Sequence, residues 1–309
     1  MTKPRREERL WRYLVPNFIT AGSMLLGLVS IFQSMEGNYV AAAWLIVFAV
    51  CTDKLDGVAA RLVRGTSELG VQLDSLADFL NFGIAPPVLI FASLGREPSL
   101  PFGSTTGRIV LIAACATWLL GAVYRLARFN LSTAQVPKSL CFGVPTTLMA
   151  GILATWFLAL LKYTPADQAM AVDAFGGAKL FPFFETPAAM WRYLPLALFG
   201  GGVLMGSNLR MANLGGLGSR WFAIFVLANV LVGFILIPLK LYPEFLIWQP
   251  TAWVTVFLIW GQLSAQVRAH KSPPIFPRVP VDPTPIEEVD SFVEKLTETD
   301  DESSHQRDV

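Results

Sequence analysis

Residues 50–86 read VCTDKLDGVAARLVRGTSELGVQLDSLADFLNFGIAP. The stretch is apolar at both ends and holds four aspartates, Asp53, Asp56, Asp74 and Asp78, inside one 26-residue window. At about 100° per residue, Asp53 and Asp56 share one face of a helix, continued one turn later by Ala60. Gly70, Asp74 and Asp78 recur every fourth residue and form a stripe along a second helix. The connection Arg64–Leu69 is short and polar, so the two helices are expected to be antiparallel neighbours with facing carboxylates. Gly57 and Gly70 leave bare backbone beside these acids, and Ala60 is nearly as small. Arg61 adds a fixed positive charge suited to phosphate.

The flanks show what surrounds the acids. Of the 309 residues, 53% are hydrophobic and only 15% are charged, against about 25% charged in soluble domains. Eight apolar runs recur: Asn17–Gln33, Tyr39–Leu55, Phe79–Leu94, Ile109–Tyr124, Val144–Leu161, Tyr193–Met205, Trp221–Leu239 and Phe245–Leu263. Several approach the roughly 20 residues that span a bilayer as a helix. The third reaches that length only by starting near Gly70 and taking in two aspartates. The composition predicts an all-α integral membrane protein with about eight transmembrane helices. In that setting a carboxylate costs about 2.5–3.5 kcal/mol on insertion scales, and four together repel one another. A lone aspartate near a helix end is usually a cap, and a lone membrane glycine is usually packing. Neither explains the joint pattern, whereas divalent cations do. Oxygen-only ligands select magnesium, manganese or calcium over zinc. With only two histidines, and three cysteines lacking metal-ligand spacing, zinc, haem and histidine-centred catalysis are poor fits.

Charge distribution sets orientation. With the N-terminus inside, sixteen Lys and Arg fall on the cytoplasmic side and six on the other, so the positive-inside rule gives an N-in, C-in arrangement. The expected organisation is a basic cytoplasmic segment 1–16, a transmembrane domain 17–271, and a disordered cytoplasmic tail 272–309, Pro-rich and then acidic. The net charge of +1 conceals a split. Residues 1–281 carry 22 basic and 13 acidic groups, while residues 282–309 carry 2 basic and 10 acidic. The long outside connection Lys162–Met190, with its several aromatics, has the composition of an interfacial segment.

Asp53-x2-Asp56-Gly57-x2-Ala60-Arg61-x8-Gly70-x3-Asp74-x3-Asp78 resembles, without departure, the motif of the CDP-alcohol phosphatidyltransferases. The resemblance implies a six-helix family core plus two C-terminal helices, and a homodimer in the cell membrane with its active site facing the cytoplasm. It implies that CDP-linked lipid is attacked by an alcohol with release of CMP. Two divalent cations, Mg2+ or Mn2+, would be held by Asp53, Asp56, Asp74 and Asp78, with Asp78 also the general base. Gly57, Ala60, Arg61 and Gly70 would line the cytidine diphosphate site. Further stretches are similar to the serine-using branch: Pro16–Thr20, Asp74–Asp78 running to Phe82–Pro86, Arg125–Asn130, Phe142–Pro145 and Met205–Asn208. They imply CDP-diacylglycerol and L-serine as substrates, with membrane lipids around them and no nucleic-acid partner. Ser23 stands where branches using phosphorylated acceptors often carry arginine, which disfavours glycerol phosphate and inositol phosphate.

Candidate acceptor residues follow. Arg125 and Arg128, three apart at the cytoplasmic end of the fourth run, are either positive-inside anchors or ligands for a serine carboxylate or lipid phosphate. Asn17 and Thr20 either cap a helix start or face the same cavity. Asn81 and Phe82 follow Asp78 directly and are placed to shape the pocket. Two rivals stay open. One keeps the chemistry with inositol phosphate, glycerol phosphate or choline as acceptor. The other is a cation transporter, which requires acidic or polar groups on several spans near the midplane.

Overall fold

Every one of the eight runs is helical over most of its length. The computed structural model describes residues 6–63, 68–132, 140–212 and 220–264. The N-terminal residues 1–5 and the tail 272–309 lie outside them. In chain order come α1 (Arg6–Glu36), α2 (Tyr39–Val63), α3 (Glu68–Asp78), a π-helical turn (Phe79–Ile84), α4 (Ala85–Arg96) and α5 (Thr105–Ser132). Then follow β1 (Leu140–Phe142), α6 (Thr146–Lys162), α7 (Leu194–Gly206), β2 (Arg210–Ala212), α8 (Arg220–Leu236) and α9 (Pro243–Leu263). Among the described residues four helical stretches are long and apolar enough to cross a membrane: Asn17–Glu36, Leu69–Arg96, Thr105–Leu131 and Ala188–Gly206. Thr146–Lys162 and Leu227–Leu236 are apolar but shorter. The protein is a mostly helical integral membrane protein.

The surface supports that reading. Leu25 and Phe32 on α1, Ile109 and Leu120 on α5, Leu196 and Phe199 on α7, and Leu227 and Ile235 on α8 are all exposed. Water does not tolerate apolar patches of that extent on a monomer. Inside, the core is built on Trp44, Phe82, Leu89, Trp118, Phe157 and Trp191, each almost fully buried. Lipid tails are as apolar as leucine, so helices associate through close packing and hydrogen bonds rather than through hydrophobicity alone. Buried Ala42, Ala43 and Ala49 let α1 approach α2, and Ser30 of α1 donates to the Ala42 carbonyl at 2.8 Å. Gly121 and Gly202 bring α5 against α7, where a Cβ on either would strike backbone of the other helix.

Two features correct the sequence expectation. A two-stranded antiparallel ribbon interrupts the all-α pattern, pairing Leu140 with Ala212, Cys141 with Met211 and Phe142 with Arg210. Its cause is local: Pro145 disfavours helical backbone at Val144, so α6 starts at Thr146 and the preceding residues extend. Helix α1 begins at Arg6 rather than near Asn17. Asn17 and Thr20 are therefore mid-helix, and helix-start capping is not their role.

Candidate active site

Asp53 comes from α2, Asp74 and Asp78 from α3. One oxygen of each lies within 4.8 Å of the others, the only such acidic group among the described residues. Asp53 and Asp78 are partly buried and Asp74 is exposed, so the cluster opens at the bundle surface. Lys54 sits beside it, 3.2 Å from Asp53 Oδ2, with its own side chain largely in solvent.

The backbone just after Asp78 is unusual for a physical reason. Pro86 has no N–H to offer the Phe82 carbonyl four residues back, and Pro87 has none for Gly83. The helix relaxes into i→i−5 bonding, with the Ala85 N–H reaching Leu80 O. The freed Phe82 carbonyl is not orphaned: the Trp118 indole N–H on α5 donates to it at 2.9 Å. Such π turns are rare and concentrate at functional sites. Here the turn rotates Asn81 inward, where it is 1% exposed. Asn81 Nδ2 donates to Ser23 Oγ at 2.9 Å, and Ser23 Oγ lies 3.0 Å from Thr52 Oγ1. Three helices are thus tied together directly behind Asp53 and Asp78. The Asn81 amide oxygen packs against Gly27 of α1.

The fourth side of the site is the end of α5. The Arg125 guanidinium is in electrostatic reach of the Asp78 and Asp53 carboxylates, and it also stacks over the Phe129 ring at 5.3 Å. Arg128 is 4% exposed. It donates to Asn208 Oδ1 at 2.6 Å, to Phe142 O at 2.7 Å and to Ser207 O at 2.9 Å. Its ring neighbour is Tyr124, 5.2 Å away. Gly143, at φ +73°, is required here, because a side chain would collide with the Met205 and Ser207 carbonyls and with Arg128 itself. Asn130 donates to Ser75 Oγ at 2.9 Å and so joins the end of α5 to α3 between Asp74 and Asp78.

The structure therefore brings Asp53, Asp74 and Asp78 together, with Arg125 in electrostatic reach and Asn81 buried nearby. Gly57 is exposed and faces open space; Gly70 is half-buried on α3. Asp56, Ala60 and Arg61 lie on α2, but their side chains are outside the described ones. Thr20 is buried and Asn17 partly so. Phe82 is fully buried in the hydrophobic core. Sequence reasoning gave no role to Thr52, Ser75, Asn130 or Asn208. Thr52 and Ser75 adjoin motif aspartates, and Ser75, Asn130 and Asn208 fall within the stretches Asp74–Asp78, Arg125–Asn130 and Met205–Asn208 that carry the wider sequence resemblance.

The sequence pattern of the CDP-alcohol phosphatidyltransferase family matches residues 13–181, more than half of the chain, and the protein belongs to that family. Among curated relatives, a CDP-diacylglycerol–serine O-phosphatidyltransferase of Helicobacter pylori is 37% identical over 151 residues, which are 49% of this chain and 60% of that relative. Proteins of the same name from Bacillus subtilis and Saccharomyces cerevisiae are 29% identical over 181 residues and 37% identical over 121 residues. The matches cover 57% of this chain and 93% of the Bacillus relative, and 36% of this chain and 40% of the yeast relative.

Proposed function

We propose that this protein transfers the phosphatidyl group of CDP-diacylglycerol to the hydroxyl of L-serine, giving phosphatidylserine and CMP. The observation that carries the reading is the convergence of the Asp53, Asp74 and Asp78 oxygens within 4.8 Å, at the spacing of a complete family motif. The choice of serine is supported by the names of the relatives. The all-oxygen donor set fits a hard divalent cation, magnesium or manganese, and Asp53, Asp56, Asp74 and Asp78 would hold two of them. Bound there, such ions neutralise diphosphate charge and stabilise departing CMP.

The chain's own residues do the rest. Asp78 accepts the proton of the serine hydroxyl as its oxygen bonds to the lipid-bearing phosphorus and the bond to CMP breaks. Gly57, Gly70 and Ala60 leave room for the nucleotide, and Arg61 pairs with its phosphates. Arg125 binds the serine carboxylate or lipid phosphate. Arg128 holds the loops around Phe142 and Ser207 and thereby keeps the end of α5 in place. Asn17 and Thr20 line the same cavity from α1. Asn81 and Phe82 shape the acceptor side from behind, through packing. The reaction is a single displacement, which inverts configuration at phosphorus; retention would overturn it.

The same reading takes eight spans, N-in and C-in, a homodimer in the cytoplasmic membrane, and a cytoplasm-facing site. The decisive assay is CMP release from CDP-diacylglycerol by purified protein, with serine, inositol phosphate, glycerol phosphate and choline offered in turn. Turnover with serine alone is expected. Turnover with another alcohol only would overturn the acceptor, and no CMP with any would overturn the enzyme.

A further inference from the structure

The chain between α6 and α7 folds over the end of the bundle away from the carboxylates. Helix α6 starts at Thr146, just after the Arg128-held loop, and ends at Lys162 on the far side. There Lys162 and Glu244, at the start of α9, form an ion pair with side chains only 3% and 4% exposed. Lys162 Nζ reaches both Glu244 oxygens at 2.8 and 3.0 Å and also donates to the Gly176 and Ala178 carbonyls. Glu244 Oε1 accepts the Leu180 N–H and the Tyr163 hydroxyl, each at 3.1 Å. The Tyr163 oxygen in turn accepts the Phe181 N–H at 3.0 Å. Further on, Thr186 bonds the Tyr163 and Leu160 carbonyls. The backbone from 180 to 186 is thus pinned at both ends by buried polar groups.

The side chains on this pinned backbone point outward. Leu180 is 49% exposed, Phe181 62%, Phe184 48%, and Phe183 is wholly exposed at 101%. A floppy loop would fold such rings inward; a backbone held at residues 180, 181 and 186 cannot. The surface continues on both sides into exposed apolar residues of the helices, Tyr193 and Leu196 on one side and Trp156 and Trp248 on the other. An apolar groove of about 890 Å³ runs beneath Phe181 and Phe184 toward Trp156 and Trp248. Lys179 and Glu185, both exposed, bracket the five residues Leu180–Phe184. Charges at both edges limit how deep the segment can sink, which suits the headgroup–acyl boundary where aromatic rings concentrate.

We propose that Leu180–Phe184 is a rigid anchor seated in the bilayer interface on the side of the membrane opposite the Asp53–Asp74–Asp78 cluster. Its partner is the lipid surface, and the buried Lys162–Glu244 pair is the fixture that presents it. The full-length chain, with Cys51, Cys115 and Cys141 replaced by alanine, is given Phe183→Cys or, as a control in the same loop, Asp173→Cys. Each is spin-labelled and reconstituted in phospholipid nanodiscs. Collision with oxygen, which enriches in lipid, is compared with collision with a water-soluble nickel chelate. The label at 183 should favour oxygen and the label at 173 the chelate, an inversion of the ratio. Equal, water-like ratios at both sites would overturn the anchor. So would dipolar broadening at 183 that grows with the number of copies per disc, since that outcome assigns the face to a second copy.

Discussion

Asp78 is the carboxylate whose removal should separate binding from chemistry. Asp78→Asn keeps the size but cannot take a proton, so CMP release should fall by about 10²–10⁴-fold while CMP binding, followed by calorimetry, is partly kept. Near-normal turnover would relieve Asp78 of the base role. The two arginines should respond differently. Arg128→Ala strands the Phe142 and Ser207 carbonyls and Asn208, at about 1.5–3 kcal/mol per charged hydrogen bond, and thermal unfolding in detergent should show the loss. Arg128→Lys should not restore it, because an ammonium cannot reproduce the planar fork. Arg125→Ala should instead raise the KM for serine with a smaller stability change. The aspartates were legible in the sequence because a helical period puts them on shared faces. The Asn81–Ser23–Thr52 tie was not, since its partners are 58 and 29 residues apart and nothing in either segment names the other.

At the level of elements, the turn after Asp78 depends on a donor from another helix. Trp118→Phe keeps the ring volume and deletes the N–H, leaving the buried Phe82 carbonyl unsatisfied at a cost of about 1–3 kcal/mol. The expected result is a lower unfolding temperature together with reduced turnover, because that turn holds Asn81 and follows Asp78 directly. A stability loss with unchanged turnover would show that the turn does not set their aim. Pro86 and Pro87 in the third run are compatible with a kink, a stop or a π turn alike. The carbonyl that the π turn frees is met by the Trp118 indole, which arrives from α5. The β1–β2 ribbon was illegible for a similar reason: three-residue strands carry almost no periodicity, and their partners lie on either side of α6 and α7.

For the molecule as a whole, the concentration of acids at one end makes a cation requirement the main expectation. Chelation should abolish CMP release and lower the unfolding temperature by leaving Asp53, Asp74 and Asp78 to repel one another, and magnesium or manganese should restore both. Turnover unaffected by chelator would remove the ions from the reaction. Removing residues 272–309 should leave kcat and both KM values unchanged, since the acidic tail contributes none of the site residues; a changed KM for CDP-diacylglycerol would give the tail a part in lipid access. The helical architecture was the most legible level, because hydropathy alone marks the runs. How the helices assemble was less so: the exposed apolar faces of α5 and α7 look the same in sequence as their buried ones.

The ion pair at the far end carries a consequence for biogenesis. The family-matched stretch ends at residue 181, yet Lys162 within it finds its counter-charge at Glu244, 82 residues later. When α6 leaves the ribosome, α9 has not been made. Until it is, Lys162 must stay extended toward water along its methylene stem or bear the cost of an unpaired charge in the bilayer. Docking of α9 brings Glu244 to Lys162 and completes the buried pair. The stretch that matches the family is thus completed by a residue that lies outside it.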